Sequence, residues 1–151
     1  MKNVFSITFI LLFIVGCKQL DEKITAVYNK GEFYSAIDNS DMIAFRINKN
    51  NMSKGVRQDS AFTSKPEYIA DKEDEIQEFR NLFKSAKSTG YCCCPNSDLK
   101  IEFRNKDKIY DYFFLDATSL ADSVIVFQKS YQSSKRITKT SWNEYLTSLT
   151  K

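Results

Sequence analysis

The chain has 151 residues, of which 42% are hydrophobic and 14% aromatic, and its formal net charge is +3. This length predicts a single domain, and this apolar content excludes an intrinsically disordered chain. The sequence contains no histidine, which excludes a Ser-His-Asp triad, a Cys-His pair or a histidine metal ligand built from this chain alone. Thiols and carboxylates are therefore the main groups left for chemistry near neutral pH.

The N-terminal segment is laid out like a secretory signal. A single positive residue, Lys2, precedes an apolar run over Val4–Val15 that only two hydroxyl residues interrupt. This run is too short to span a bilayer, which takes about 20 residues, but it fits the apolar region of a signal peptide. It ends in the tetrapeptide Ile14-Val15-Gly16-Cys17, in which a small residue precedes the only nearby thiol.

This tetrapeptide resembles the lipobox of bacterial lipoproteins. The resemblance implies a signal peptide over residues 1–16, a covalent lipid on the sulfur of Cys17, a lipidated tether over residues 17–25 and a globular domain over residues 26–151. It also implies a lipid-anchored location in the bacterial cell envelope. The outer membrane is favoured in a cell with two membranes, because Lys18 rather than aspartate follows the cysteine.

The resemblance covers only the leader and Cys17, and the rest of the chain carries no family motif. The six residues Lys18–Lys23 that follow the cysteine reach only about 20 Å when fully extended. We therefore expect the folded part to lie close to the membrane surface.

The predicted elements of the domain begin with a short helix over Glu32–Ile37 and a strand over Met42–Ile47. A polar loop over Lys49–Ser60 follows. The strongest helix begins near Asp71, which we expect to be its N-cap, and ends before Gly90. Its apolar stripe has three- and four-residue spacing and consists of Ile76, Phe79, Leu82, Phe83 and Ala86.

The second half of the domain is rich in strand patterns. Leu99–Arg104 alternates strictly between apolar and polar residues, and with Ile109–Leu115 it predicts a hairpin that has a four-residue connection. The apolar run Ser123–Phe127 predicts an inner strand covered on both faces. Tyr131–Ile137 predicts an edge strand.

The chain closes with a predicted short helix. Ser141 and Glu144 have the spacing of a capping box, and the apolar stripe behind them consists of Trp142, Tyr145, Leu146 and Leu149. These elements predict a single small α+β domain. We expect an antiparallel sheet of about four to five strands, with one long helix and this short C-terminal helix packed on it.

Three consecutive cysteines, Cys92, Cys93 and Cys94, are the least common feature of the sequence. If Cys17 carries lipid, three thiols remain, so at least one is free or pairs with another chain. Neighbouring Cα atoms lie too close for an unstrained disulfide, which leaves Cys92–Cys94 as the feasible bridge. A structural role, a disulfide or redox site, and a Cu(I) or zinc site completed by Asp98 all stay open.

Two further groups could carry chemistry or binding. Tyr110, Asp111, Tyr112 and Asp116 contain the pair of carboxylates that glycoside hydrolysis requires, although the same spacing is typical of an amphipathic strand. The basic residues Lys129, Lys135, Arg136 and Lys139 could contact anionic lipid head groups or protect an edge strand from aggregation.

The sequence thus predicts a lipid-anchored envelope protein that is a non-enzymatic binding module, similar in kind to inhibitors and immunity proteins. The alternative is a thiol-based redox or metal-binding lipoprotein that uses Cys92–Cys94. We expect the membrane and an envelope protein as partners, and no nucleic acid. No residue is predicted to be catalytic, and no cofactor is expected besides the lipid on Cys17.

Overall fold

The computed structural model describes residues 31–49, 58–89, 95–130 and 133–150. In this part of the chain the helices are α1 (residues 31–38), α2 (Glu73–Leu82) and α3 (Lys139–Ser148). The strands are β1 Met42–Ile47, β2 Tyr68–Ala70, β3 Lys87–Ser88, β4 Leu99–Asn105, β5 Lys108–Asp116, β6 Ser123–Phe127 and β7 Ser134–Thr138. None of these helices is both long and apolar enough to cross a bilayer.

The strands form one sheet in the order β2-β1-β4-β5-β6-β7-β3, and every neighbouring pair is antiparallel. Side chains of all three helices join the main hydrophobic core with every second residue of the central strands. Because side chains alternate across a strand, the other residues point to the opposite face, which no α-helix of the described residues joins. We call this second side the helix-free face.

The main core is dominated by aromatic rings. Phe79 of α2 is fully buried, and its ring centroid lies 5.0–6.2 Å from those of five other aromatic residues, Phe33, Phe45, Phe83, Phe103 and Tyr145. These distances are typical of favourable edge-to-face and tilted pairs. Phe79 therefore joins α1, α2, α3 and the sheet in a single cluster.

The structure confirms the α+β class, the single domain and the antiparallel sheet. The strand count was wrong, because the sheet has seven strands. The two extra strands, Tyr68–Ala70 and Lys87–Ser88, contain three and two residues, which is too few to show a period of two. The expected edge strand begins only at Ser134, and it is an inner strand because β3 pairs with its outer side.

The two helices with predicted N-terminal caps begin at other residues than the sequence predicted. The N-cap of α2 is Lys72 rather than Asp71. The carboxylate of Glu75 accepts hydrogen bonds from the backbone N–H of Lys72 at 3.4 Å and from that of Asp71 at 3.3 Å. Helix α3 begins before Ser141, because the hydroxyl of Thr138 accepts from the Ser141 N–H at 3.2 Å and caps the helix one turn earlier. Each of these helices has ten residues, so the distinction between a long and a short helix is not confirmed.

The β4–β5 hairpin is tighter than the sequence predicted. Only Lys106 and Asp107 connect the strands, and Lys106 has a φ of 54°, in the left-handed region. Asp41 fixes this turn, because its carboxylate accepts from the Lys106 N–H at 2.8 Å. Phe103 pairs with Asp111 and Arg104 with Ile109, which leaves Tyr110 as the extra residue of a β-bulge.

Candidate functional site

A buried cluster of charged side chains lies on the helix-free face. Glu102 of β4 is fully buried, and its carboxylate accepts hydrogen bonds from Arg46 at 2.8 Å, Lys100 at 2.9 Å and Arg104 at 2.6 Å. The exposed Asp59 bridges Arg46 and Lys100 at 2.8 and 2.7 Å. We call these five residues the Glu102 cluster.

The sheet register produces this cluster. Lys100, Glu102 and Arg104 alternate along β4, so all three point to the helix-free face, and Arg46 of β1 pairs directly with Lys100. Asp59 comes from the short 3₁₀ helix Asp59–Ala61. Because every one of these five groups has an oppositely charged partner, the cluster offers no free acid, base or nucleophile.

The electrostatics of the cluster keep its carboxylates ionised. Burial raises the pKa of Glu102, but the hydrogen bonds from Arg104, Lys100 and Arg46 outweigh it, and the net pKa is lowered. The hydrogen bond from Lys100 is the main cause that lowers the pKa of Asp59. A carboxyl whose pKa is lowered is a poor proton donor at neutral pH, which favours a structural role.

We predict that this cluster makes the stability of the protein depend on acid pH. Since the folded pKa of Glu102 lies below its ordinary value of 4.5, the stabilisation is fully present above that value and is lost as the pH falls through the folded pKa. Urea unfolding at a series of pH values from neutral into the acid range measures this loss. The variant Glu102→Gln should show a flatter pH profile, and identical profiles for both proteins would contradict the prediction.

The half of the helix-free face that lies away from the β4–β5 turn is covered by a small aromatic cluster. Phe62 follows the 3₁₀ helix, and its ring packs on Phe114 of β5 at a centroid distance of 5.8 Å. Phe114 in turn contacts Phe127 of β6 at 5.8 Å. Asp59 and Phe62 therefore hold residues 59–62 against the sheet, one by ion pairs and the other by apolar contact.

The other half of the helix-free face, near the β4–β5 turn, carries exposed apolar side chains. Ile69 of β2 is 41% exposed and Ile109 of β5 is 45% exposed. Met42, Arg104 and Ile109 form one row across β1, β4 and β5. Ile69 belongs to the next row, in which Ala44, Glu102 and Tyr112 follow it. We call Met42, Ile69, Arg104, Ile109 and Tyr112 the open patch.

Positive charge borders the open patch. The Nζ atoms of Lys100 and Lys129 lie 4.8 and 4.9 Å from the centroid of the Tyr112 ring, within the range of a cation–π interaction. Arg136 of β7 pairs with Ile125, whose side chain packs on the aromatic cluster of the helix-free face, so Arg136 also points to this face. The open patch thus combines aliphatic, tyrosine and cationic side chains.

The structure does not bring together the carboxylates predicted as a pair. Asp111 and Asp116 lie five positions apart on β5, which is about 16 Å along a strand, and they point to opposite faces. Asp116 is buried and accepts backbone hydrogen bonds from Asn96, Thr118 and Ser119 at 2.8–3.0 Å. Glycosidase carboxylates lie no more than about 9.5 Å apart, so the geometry does not support that chemistry.

The structure likewise divides the predicted basic stretch. Lys135 is buried on the helix side, with its Nζ 5.6 and 5.2 Å from the ring centroids of Phe33 and Tyr34. Lys139 begins α3 and donates to the carbonyl of Leu120 at 3.4 Å. Lys129 and Arg136 remain exposed, and only these two lie on or beside the helix-free face.

Cys17 and the three cysteines Cys92, Cys93 and Cys94 lie outside the described residues. Their expected roles as the lipid attachment site and as a thiol cluster stay predictions. Within the described residues, no group of three or more cysteine, aspartate and glutamate side chains is placed to hold a metal ion.

The Glu102 cluster could not be recognised as a unit from the sequence patterns described above. The alternation of Lys100, Glu102 and Arg104 was visible, but it indicated only a polar strand face. Two features of the sequence indicate the cluster in retrospect. Glu102 has the opposite charge to Lys100 and Arg104 on the same strand face, and Arg46 lies on β1 at the position that pairs with Lys100.

Another concave region lies between α1 and α2. A cleft of about 400 Å³ is lined by Asp38, Asp41, Asp71, Glu73 and Arg80, among others. Arg80 forms an ion pair with Asp38, and the remaining carboxylates make this side of the molecule acidic. The helix side and the helix-free face therefore differ in charge.

Comparisons with known proteins give no further guide to this site. Searches against family models, curated proteins and solved structures found no match to this chain.

Proposed function

We propose that this protein is a lipid-anchored protein of the bacterial cell envelope that acts by binding rather than by catalysis, and that the open patch is its contact surface. The anchor is supported by the signal-like apolar run and the lipobox-like sequence that ends at Cys17. The binding role is supported by the geometry of the helix-free face.

The observation that carries the binding role is the exposure of Ile69 and Ile109 on the same face of the sheet, on the two sides of β1 and β4. Single exposed apolar side chains need no explanation, but apolar side chains that share one face with a polar rim are typical of interaction sites. Met42 and Tyr112 lie on the same face as Ile69 and Ile109. Arginine and tyrosine are enriched where binding energy is concentrated, and the patch contains Arg104 and Tyr112. The charged groups beneath it are bound to one another, which favours a rigid contact surface.

The anchor predicts that the native protein enters the detergent phase in a phase-separation assay, whereas a Cys17→Ser variant remains in the aqueous phase. Two or more acyl chains give stable membrane binding, and the variant has no thiol on which to carry them. Intact mass spectrometry of the native protein should show the mass of the lipid. A Cys17→Ser variant that still enters the detergent phase would contradict the anchor.

The contact surface predicts position-specific crosslinking. A photoreactive amino acid at Ile109, introduced into the full chain and irradiated in living cells, should give a discrete product with a lipid or a protein. The matched control is Gln77, which is exposed on α2 at the opposite side of the sheet and should give none. Equal products from both positions, or none from Ile109, would remove the open patch as the contact surface.

The thiol-based alternative rests on Cys92–Cys94 alone. It predicts that Cys92→Ser and Cys94→Ser variants fold normally but lose thiol reactivity or a bound metal. Mass spectrometry before and after alkylation measures the number of free thiols and any adduct. A fully reduced, metal-free cluster would remove this alternative and leave the binding role.

A further inference from the structure

The partner of the open patch follows from the distribution of charge and apolar surface over the whole domain. We infer that the helix-free face lies on the surface of an anionic bilayer, with Ile69 and Ile109 in the head-group region and Lys129 and Arg136 near lipid phosphates. This inference rests on the proposed function, because it names the partner of the same contact surface.

The two sides of the sheet differ in charge. Helix α2 carries four carboxylates, Glu73, Asp74, Glu75 and Glu78, against the single cation Arg80, and the nearby cleft adds Asp38, Asp41 and Asp71. A negatively charged surface repels this side of the molecule and leaves the other side to face it.

The helix-free face has the opposite balance. The anionic side chains on this face include the buried Glu102, the buried Asp116 and Asp59, which accept hydrogen bonds. At its border, Asp111 forms a long ion pair with Lys129 at 3.9 Å. Six cations point to the same face or border it, namely Arg46, Lys87, Lys100, Arg104, Lys129 and Arg136. These cations outnumber the anions just named, and the exposed cations Lys87, Lys129 and Arg136 lie outside the Glu102 cluster.

The apolar residues of this face suit the boundary between head groups and acyl chains. Ile69 and Ile109 are separated by the two strands β1 and β4, so the patch extends over four strands, about 14 Å wide. Tyrosine beside lysine is typical of the membrane interface, where one end of the side chain is apolar and the other is hydrated. Tyr112 between Lys100 and Lys129 has this environment.

The segment between Cys17 and the domain is long enough for the helix-free face to reach the bilayer. Cys17 precedes the first described residue, Gly31, by 14 positions, which span at most about 50 Å. Glu32 forms a hydrogen bond with Gln128, next to Lys129, so the chain enters the domain beside the edge of the helix-free face. An anchor at Cys17 therefore allows this side of the domain to reach the membrane.

Tryptophan fluorescence provides the test. The chain has a single tryptophan, Trp142, which is buried in the core. An Ile109→Trp variant of the full lipidated protein is reconstituted into vesicles of brominated phosphatidylcholine, alone or mixed with brominated phosphatidylglycerol. Quenching of the introduced indole is expected only in the anionic vesicles, and a Gln77→Trp variant on the acidic helix side should not be quenched.

Charge reversal identifies the cause. Lys129→Glu with Arg136→Glu, in the Ile109→Trp protein, should abolish the quenching, since each cation near an anionic surface changes the bound population roughly fivefold. The matched control changes the net charge equally by Gln77→Glu, Asn81→Asp and Lys84→Glu, at exposed positions on α2 or just after it, and should keep the quenching. Equal quenching in neutral and anionic vesicles, or in both charge variants, would overturn the inference.

The two proposals fail separately. If Ile109→Trp is not quenched in anionic vesicles while the photoreactive group at Ile109 crosslinks to a protein in cells, the patch binds a protein and only the membrane inference is overturned. If neither experiment gives a signal, the contact surface itself is wrong. Intact mass spectrometry of the reconstituted sample reports independently whether Cys17 carries the lipid.

Discussion

Replacing Glu102 with leucine should lower the free energy of unfolding by about 3–5 kcal/mol, because it leaves buried cations without their counter-charge. Glu102 is fully buried and accepts hydrogen bonds from three cationic side chains. Leucine has a similar volume, so the loss measures the electrostatic role of the carboxylate and not a cavity. Urea unfolding at neutral pH, followed by circular dichroism, provides the measurement.

Asp59 is the matched control for Glu102. It binds two of the same cations, Arg46 and Lys100, but its side chain is 67% exposed. In an Asp59→Asn variant, water can therefore solvate the cations that lose this ion pair. We expect that variant to cost no more than about 1 kcal/mol. A Glu102→Leu variant as stable as Asp59→Asn would show that burial of the cluster has no energetic consequence.

Truncating Phe79 to alanine should cost about 3–5 kcal/mol, which is the range for large aromatic residues in a core. The ring is fully buried and contacts aromatic residues of α1, α2, α3 and the sheet. No neighbouring element can move into the space without losing its own contacts, so we expect the cavity to remain. Thermal unfolding measured by calorimetry gives the size of the loss.

The control for Phe79 lies two residues earlier on the same helix. Gln77 is exposed, and Gln77→Ala should change the stability by no more than about 0.5 kcal/mol. Alanine also has a higher helix propensity than glutamine, so any change at that position is not a loss of helix. If both variants unfolded alike, Phe79 would not join the helices to the sheet as described.

The sequence predicted strands best where their period was complete. Met42–Ile47 and Ser123–Phe127 were predicted with the bounds that the structure has, and β6 is an inner strand with both faces against apolar clusters. The short strands β2 and β3 could not be predicted, because two or three residues carry no period and form only by pairing with strands that are distant in the sequence.

The candidate site was less predictable than the fold. The Glu102 cluster needs Arg46, Asp59 and Glu102, which are separated by 13 and 43 positions in the sequence and meet only through strand register and a loop. The sequence could show that Lys100, Glu102 and Arg104 share a face, but not that Asp59 would lie over them. The same holds for Lys135, whose burial against Phe33 and Tyr34 follows from the packing of α1.

The two outermost strands of the sheet are also its shortest, with three residues in β2 and two in β3. An outer strand of ordinary length exposes a row of unpaired N–H and C=O groups that can recruit another chain. Protein copies held side by side on one membrane meet at a far higher local concentration than free ones. The two short ends of the sheet would then allow this domain to be crowded on a surface without its copies joining edge to edge into fibres.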